Sequence, residues 1–194
     1  MLSYQKERSE IVSVMRNLFS QGFIQANVGN ASVKVGPDLY LITPKGKRKG
    51  ELLPEEIVLV NGKGEVIEGN LVPSIELNTH LSWYSVRSDI NAIIHAHPPF
   101  ITAASFYMAS EVKPLMTEIQ DYVGKKLISV PYRKAGSEEL CKEVAEKGGD
   151  PEVFVIVLQK HGVLVGGKDL EEALNRLELI EFDTKVRFLK ELSI

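Results

Sequence analysis

The sequence predicts a layered α/β sandwich with substantial antiparallel pairing, on three observations. Apolar residues recur at helical spacing near both ends of the chain, short runs rich in β-branched residues lie between them, and two links between such runs are too short to cross a sheet. Residues 5–20 come first, with Ile11, Val12, Met15, Leu18 and Phe19 on one apolar face and Gly22 ending the helix. Strand candidates follow at 39–43, 57–60, 92–95, 153–158 and 163–165, each set off by Gly, Pro, Asn or Asp. Asn61-Gly62-Lys63-Gly64 reads as a hairpin, and Lys160-His161-Gly162 as a short link between two strands. Pro73 and Ser74 open a second helix over about 75–86. Asp169 and Glu172 make a capping-box-like start to the last helix, whose buried stripe is Leu170, Ala173, Leu174, Leu177 and Ile180.

A chain of 194 residues is long enough to bury one substantial core, so a single domain over 1–194 is expected. The 44% hydrophobic and 25% charged fractions are those of an ordinary globular protein, and no apolar run reaches membrane-spanning length. Cys141 is the one cysteine, which excludes an internal disulfide, and its helical surroundings suit an idle thiol better than a nucleophile. With no signal-peptide core at residues 1–6, the expected compartment is the cytoplasm. The net charge of -3 argues against broad nucleic-acid binding, which needs an excess of basic surface.

His95-Ala96-His97 is the most informative local pattern. It follows the apolar run Ala92-Ile93-Ile94 and precedes Pro98-Pro99, and residues two apart on a strand share a face, so two imidazoles point one way. His161, after a second apolar run, offers a third nitrogen; three neutral imidazoles suit zinc with one position open. Glu76 and His80 are four apart on the helix ahead of the His pair, a spacing that puts both on one face and offers a carboxylate base beside a Lewis acid. Asn27-Val28-Gly29-Asn30-Ala31-Ser32 and Thr43-Pro44-Lys45-Gly46 are Gly/Asn segments that expose backbone amides, as an anion site requires. Lys45, Lys47, Arg48 and Lys49 make a basic cluster that would draw an anion in, although a solvated loop accounts for most of them. The one Gly-x-x-x-x-Gly-Lys run, from Gly162 to Lys168, ends in Asp169 where a phosphate-binding loop needs Ser or Thr, and reads as chance. A cupin would need a Glu shortly after the His pair, where Phe100, Ile101 and Thr102 stand, and Pro98-Pro99 cannot supply the Asp-His of a metallo-β-lactamase-like hydrolase.

Taken in order, Gly29-Asn30-Ala31-Ser32, Ile42-Thr43-Pro44-Lys45-Gly46, Pro73-Ser74-Ile75-Glu76 with His80, His95-Ala96-His97 and His161-Gly162 resemble the class II aldolase and adducin-head family over nearly the whole chain. The resemblance implies a three-layer sandwich with a mostly antiparallel central sheet flanked by helices, assembled as a homotetramer with sites between subunits. It implies a zinc ion, or another divalent metal, on His95, His97 and His161, with Glu76 as ligand and acid/base. Asn27, Gly29, Asn30, Thr43, Lys45, Gly46 and Ser74 would hold the phosphate of a small sugar phosphate. The reaction implied is retro-aldol cleavage of a phosphorylated ketose to dihydroxyacetone phosphate and an aldehyde, as in aldolases of the fuculose-1-phosphate type. Family epimerases and dehydratases use the same metal site, while a non-catalytic adducin-like head would not need all three His and Glu76. Two departures stand out: Ile75 replaces a second Ser, and Lys45 replaces a small hydroxyl residue. The aldehyde-side proton donor of the aldolases aligns near Glu118 and Tyr122.

Overall fold

A computed structural model describes residues 2–192. Helix α1 (Gln5–Ser20) leads into β1 (Asn30–Gly36) and β2 (Leu39–Ile42), then β3 (Val58–Asn61) and β4 (Val66–Glu68). Helix α2 (Leu77–Val86) precedes β5 (Ala92–Ala96), which is followed by α3 (Pro99–Ala104), β6 (Glu111–Val112), α4 (Thr117–Val123) and β7 (Leu127–Val130). Helix α5 (Glu138–Gly148), β8 (Val155–Leu158), β9 (Gly162–Gly167) and α6 (Leu170–Leu192) complete the described chain.

The strands form one sheet in the order β4-β3-β2-β1-β5-β9-β8-β7-β6. Most neighbours run antiparallel; β1–β2, β3–β4 and β8–β9 do so as hairpins, the last two through Gly62 and Gly64 and through Lys160 and His161. The β7–β8 pair is parallel, so the mostly antiparallel sheet that was expected is found with one parallel pair, which makes it mixed. The cause lies in the connection: α5 intervenes between β7 and β8, and a helical crossover returns the chain in the same direction.

Alternation along the strands divides the interior in two. Ala31, Leu41, Leu59, Ile94, Val157 and Val165 pack with Ile11 and Met15 of α1 and Leu177 and Ile180 of α6. Their neighbours Tyr40, Ile42, Val58, Ile93, Ile156 and Leu164 pack on the other face with Trp83 of α2 and Leu140 and Val144 of α5. The start of α6 follows the sequence reading: the Glu172 N–H donates to Asp169 Oδ1 at 2.8 Å, and Glu172 Oε2 accepts from the Lys168 N–H at 2.6 Å. The Gly-x-x-x-x-Gly-Lys run from Gly162 is the buried strand β9, which has no loop to wrap a phosphate. No described helix is long and apolar enough to cross a membrane.

Candidate metal centre and its cleft

His95 lies on the central strand β5, between β1 and β9, opposite Asn30 on one side and Leu164 on the other. His97 stands one residue beyond the end of β5, where its N–H donates to Phe23 O at 2.8 Å and so holds the outgoing chain. His161 occupies the β8–β9 turn, which Lys160 enters with φ 59°. The three rings meet: centroids are 4.6 Å apart for His95 and His97, 4.7 Å for His95 and His161, and 5.4 Å for His97 and His161. One ring nitrogen from each lies within 4.8 Å of the others.

Glu76 comes from a fourth place, the N-cap of α2, rather than from the helical face expected of it. Its Oε2 accepts from Asn30 Nδ2 at 2.7 Å and lies 3.2 Å from His95 Nε2, while Oε1 is 3.9 Å from His161 Nε2. The Glu76 N–H donates to Ser74 Oγ at 3.3 Å, which ties the base to the neighbouring loop. His80 is turned away from this group: its Nδ1 is 2.7 Å from Ser32 Oγ, which in turn lies 2.8 Å from the Tyr84 hydroxyl.

The residues fit a divalent cation. His95 Nε2, His97 Nδ1 and Glu76 Oε1 are buried without a hydrogen-bond partner, an arrangement that costs free energy unless something else satisfies them. Burial, reinforced by the neighbouring His161 and His80, holds His95 well below its usual range, and burial with the adjacent His95 and His161 pushes His97 down to about 3. Both rings are therefore neutral at pH 7, the form that offers a lone pair to a metal. Val163 O lies 3.0 Å from His95 Nδ1; a proton there fixes the tautomer that leaves Nε2 bare toward Glu76.

A cleft of about 270 Å3 opens beside the triad. Asn27, Gly29, Asn30, Lys45, Gly46 and Ser74 line it together with Glu76, His95, His97 and His161. Thr43 does not: it is fully buried, and its Oγ1 accepts from the Ala31 N–H at 3.3 Å, so it braces β1 from behind. Asn30 gives its Nδ2 to Glu76, while its Oδ1 is buried without a hydrogen-bond partner. Glu118 and Tyr122 sit on α4, away from the residues lining this cleft. Sequence reasoning missed Ala135 and gave Lys49 no separate place, yet both line the cleft. Ala135 precedes Gly136, which has φ 71° and comes so close to Ile75 that a Cβ there would lie 2.3 Å from Ile75 O. No pattern in the sequence sets Lys49 apart from Lys47.

Among known proteins, the chain is 36% identical over 183 residues to the L-fuculose phosphate aldolase of Methanocaldococcus jannaschii, covering 94% of this chain and 96% of that one. It is 32% identical to the 3-oxo-tetronate 4-phosphate decarboxylase of Pectobacterium atrosepticum, over 96% of this chain and 86% of that one. The solved structure of L-fuculose-1-phosphate aldolase from Thermus thermophilus superposes with a TM-score of 0.84 at 29% identity, covering 95% of this chain and 93% of that one. The sequence profile of the class II aldolase and adducin N-terminal domain matches residues 9–188, and with it the chain belongs to that family.

Proposed function

We propose that the protein is a divalent-metal-dependent lyase that cleaves a carbon–carbon bond of a phosphorylated ketose, giving dihydroxyacetone phosphate and an aldehyde. The observation that carries this reading is the convergence of three imidazoles and the buried Glu76 carboxylate in one cleft with Gly46, Lys45 and Ser74. A zinc ion, or another divalent metal, held by His95, His97 and His161 would supply Lewis acidity toward the substrate carbonyl oxygen. The chain's own groups do the rest. Glu76, held by Asn30 and Ser74, moves the proton at the carbon left when the bond breaks, while the loop amides and Ser74 fix the phosphate and hence the register of the sugar. Exposed apolar residues of the cleft, Val28 and Ile75, suit coverage by a neighbouring copy, and the assembly proposed is a homotetramer working on a small-molecule substrate in the cytoplasm.

The decarboxylase relative supports a second reading, loss of carbon dioxide from a phosphorylated 3-oxo acid, because that reaction also leaves an electron pair beside a carbonyl. Metal analysis followed by incubation with ketose 1-phosphates, ribulose 5-phosphate, methylthioribulose 1-phosphate and a 3-oxo-tetronate 4-phosphate separates the outcomes by product mass. Dihydroxyacetone phosphate supports the aldolase; carbon dioxide, loss of one water or an isomer of unchanged mass replaces it with a decarboxylase, dehydratase or epimerase. Replacing Glu76 by Gln is expected to keep the metal and lower kcat by about 10²–10⁴-fold, the range for loss of a general acid/base. His95→Ala and His97→Ala should lose metal and turnover together, and full metal content in either variant would remove that residue from the coordination set. Sedimentation of the purified protein tests the tetramer.

A further inference from the structure

The four basic residues between 45 and 49 have separate fates. Lys47 pairs with Glu56 at 2.8 Å, and Arg48 pairs with Glu51 at 2.8 Å while lying over the Phe19 ring. Lys45 is exposed at the cleft rim. Lys49 is 2% exposed, and among the described residues no carboxylate pairs with it. Its N–H donates to Ala26 O at 2.9 Å, and its Nζ donates to Pro44 O. An ammonium carries three donors, so one carbonyl leaves a buried charge under-satisfied and without a counter-charge. Burial pushes this lysine down to about 8, the direction expected of a cation kept from water and from anions alike.

The position explains what would complete it. Lys49 lines the same cleft as Glu76 and His95, with Gly46 and Ser74. Gly46 has φ 77°, a Cβ placed on it would meet nothing within 4 Å, and among the described residues no hydrogen bond occupies its N–H. We propose that Lys49 is an anion-binding residue of this cleft, the ammonium that meets the phosphate dianion of a phosphorylated substrate together with the Gly46 N–H and the Ser74 hydroxyl. The proposal rests on the sugar-phosphate reading above and adds a residue to it. A phosphate monoester has three terminal oxygens for three donors of different kinds, and its double charge restores the charge state that burial opposes. Lys45 supplies a screened charge at the rim, whereas Lys49 acts where water is excluded and its charge is felt in full.

The competing account makes Lys49 a strap between the chain at Ala26 and the chain at Pro44. A strap contributes to stability but does not select anions. Calorimetric titration of inorganic phosphate into the purified full chain, its Lys49→Met variant and its Lys45→Met variant separates the two. Lys49→Met is expected to weaken phosphate at least about tenfold with metal content unchanged, and Lys45→Met by about threefold or less, in line with a buried against an exposed charge. Phosphate affinity within about twofold of wild type in Lys49→Met would overturn the proposal. Should that variant fail to fold, reductive methylation of the wild type read by mass spectrometry decides: phosphate must slow labelling of Lys49 relative to the exposed Lys63, and equal rates with and without phosphate sink the idea. Turnover of the sugar-phosphate panel is read separately. If no phosphorylated substrate reacts while phosphate still depends on Lys49, the anion site stands and the lyase reading falls; the converse result leaves the lyase and removes Lys49.

Discussion

His80 shows how one buried side chain makes the fold sensitive to acid without touching the cleft. It is fully buried, its Nδ1 meets Ser32 Oγ, and burial pushes it down to about 4 against the smaller upward pull of Glu76. The sign follows from proton counting: between pH 6.5 and 4 the unfolded chain takes up a proton at this site that the folded chain refuses, so stability falls as pH falls through that window. The slope from one such group approaches about 1.4 kcal/mol per pH unit. In His80→Gln that contribution is absent. The denaturant midpoint of wild type is therefore expected to exceed that of the variant by most at pH 7, with the gap closing toward pH 4. A gap that stays constant with pH would show that His80 titrates normally in the fold. The same side chain was readable in the sequence as four residues from Glu76, but its partner Ser32 lies on another element, and no local spacing reports such a bond.

The β8–β9 hairpin packs closely against two rings of the triad. Gly162 follows His161, and a Cβ there would lie 2.5 Å from Ala96 O, 2.6 Å from His97 Cδ2 and 3.3 Å from His95 Cε1. Gly162→Ala must therefore push on two imidazoles at once. Overpacking of this kind costs about 1–3 kcal/mol, and the displaced rings should lower metal affinity about tenfold or more, measured by competition with a chelator. Unchanged affinity would mean the hairpin yields instead of the rings. This hairpin, α1 and β5 were legible because each announces itself locally: an apolar run meeting a Gly-containing turn, or a helical stripe closed by glycine. The segment over β1 was not. Ala31, Val33 and Val35 alternate with Ser32 and Lys34, but Asn27, Gly29 and Asn30 in front marked the stretch as a Gly/Asn segment exposing its amides, and only pairing with β2 and β5 settles it as a strand. Between residues 105 and 150 the elements are short and their order is set by long-range pairing, so β6, β7, α4 and α5 left no signal as strong as the His pair. The triad itself was legible, whereas the demotion of Thr43 and the burial of Lys49 depend on depth, which a sequence does not carry.

The candidate ligands are drawn from parts of the chain that meet only when the whole sheet has formed. His95 and His97 come from β5 and its exit, His161 from the β8–β9 turn and Glu76 from the cap of α2, and β5 lies between β1 and β9 at the centre of the strand order. An ion bound there joins both faces of the molecule, since β5 sends Ile94 into the core under α1 and α6 and Ile93 into the core under α2 and α5. The unfolded chain cannot offer that set, so metal affinity becomes folding stability: about 4 kcal/mol when free metal exceeds its dissociation constant a thousandfold. Treatment with a chelator should lower the melting midpoint and speed amide exchange at residues 74–80, 96–97 and 160–162. Exchange in β3 and α5 should change least, because neither element supplies a ligand. Readdition of zinc should restore both readings in wild type but not in His97→Ala. Uniform loss of protection across the sheet would place the ion's effect on global unfolding alone, and no change at all would remove the metal from the account of this fold.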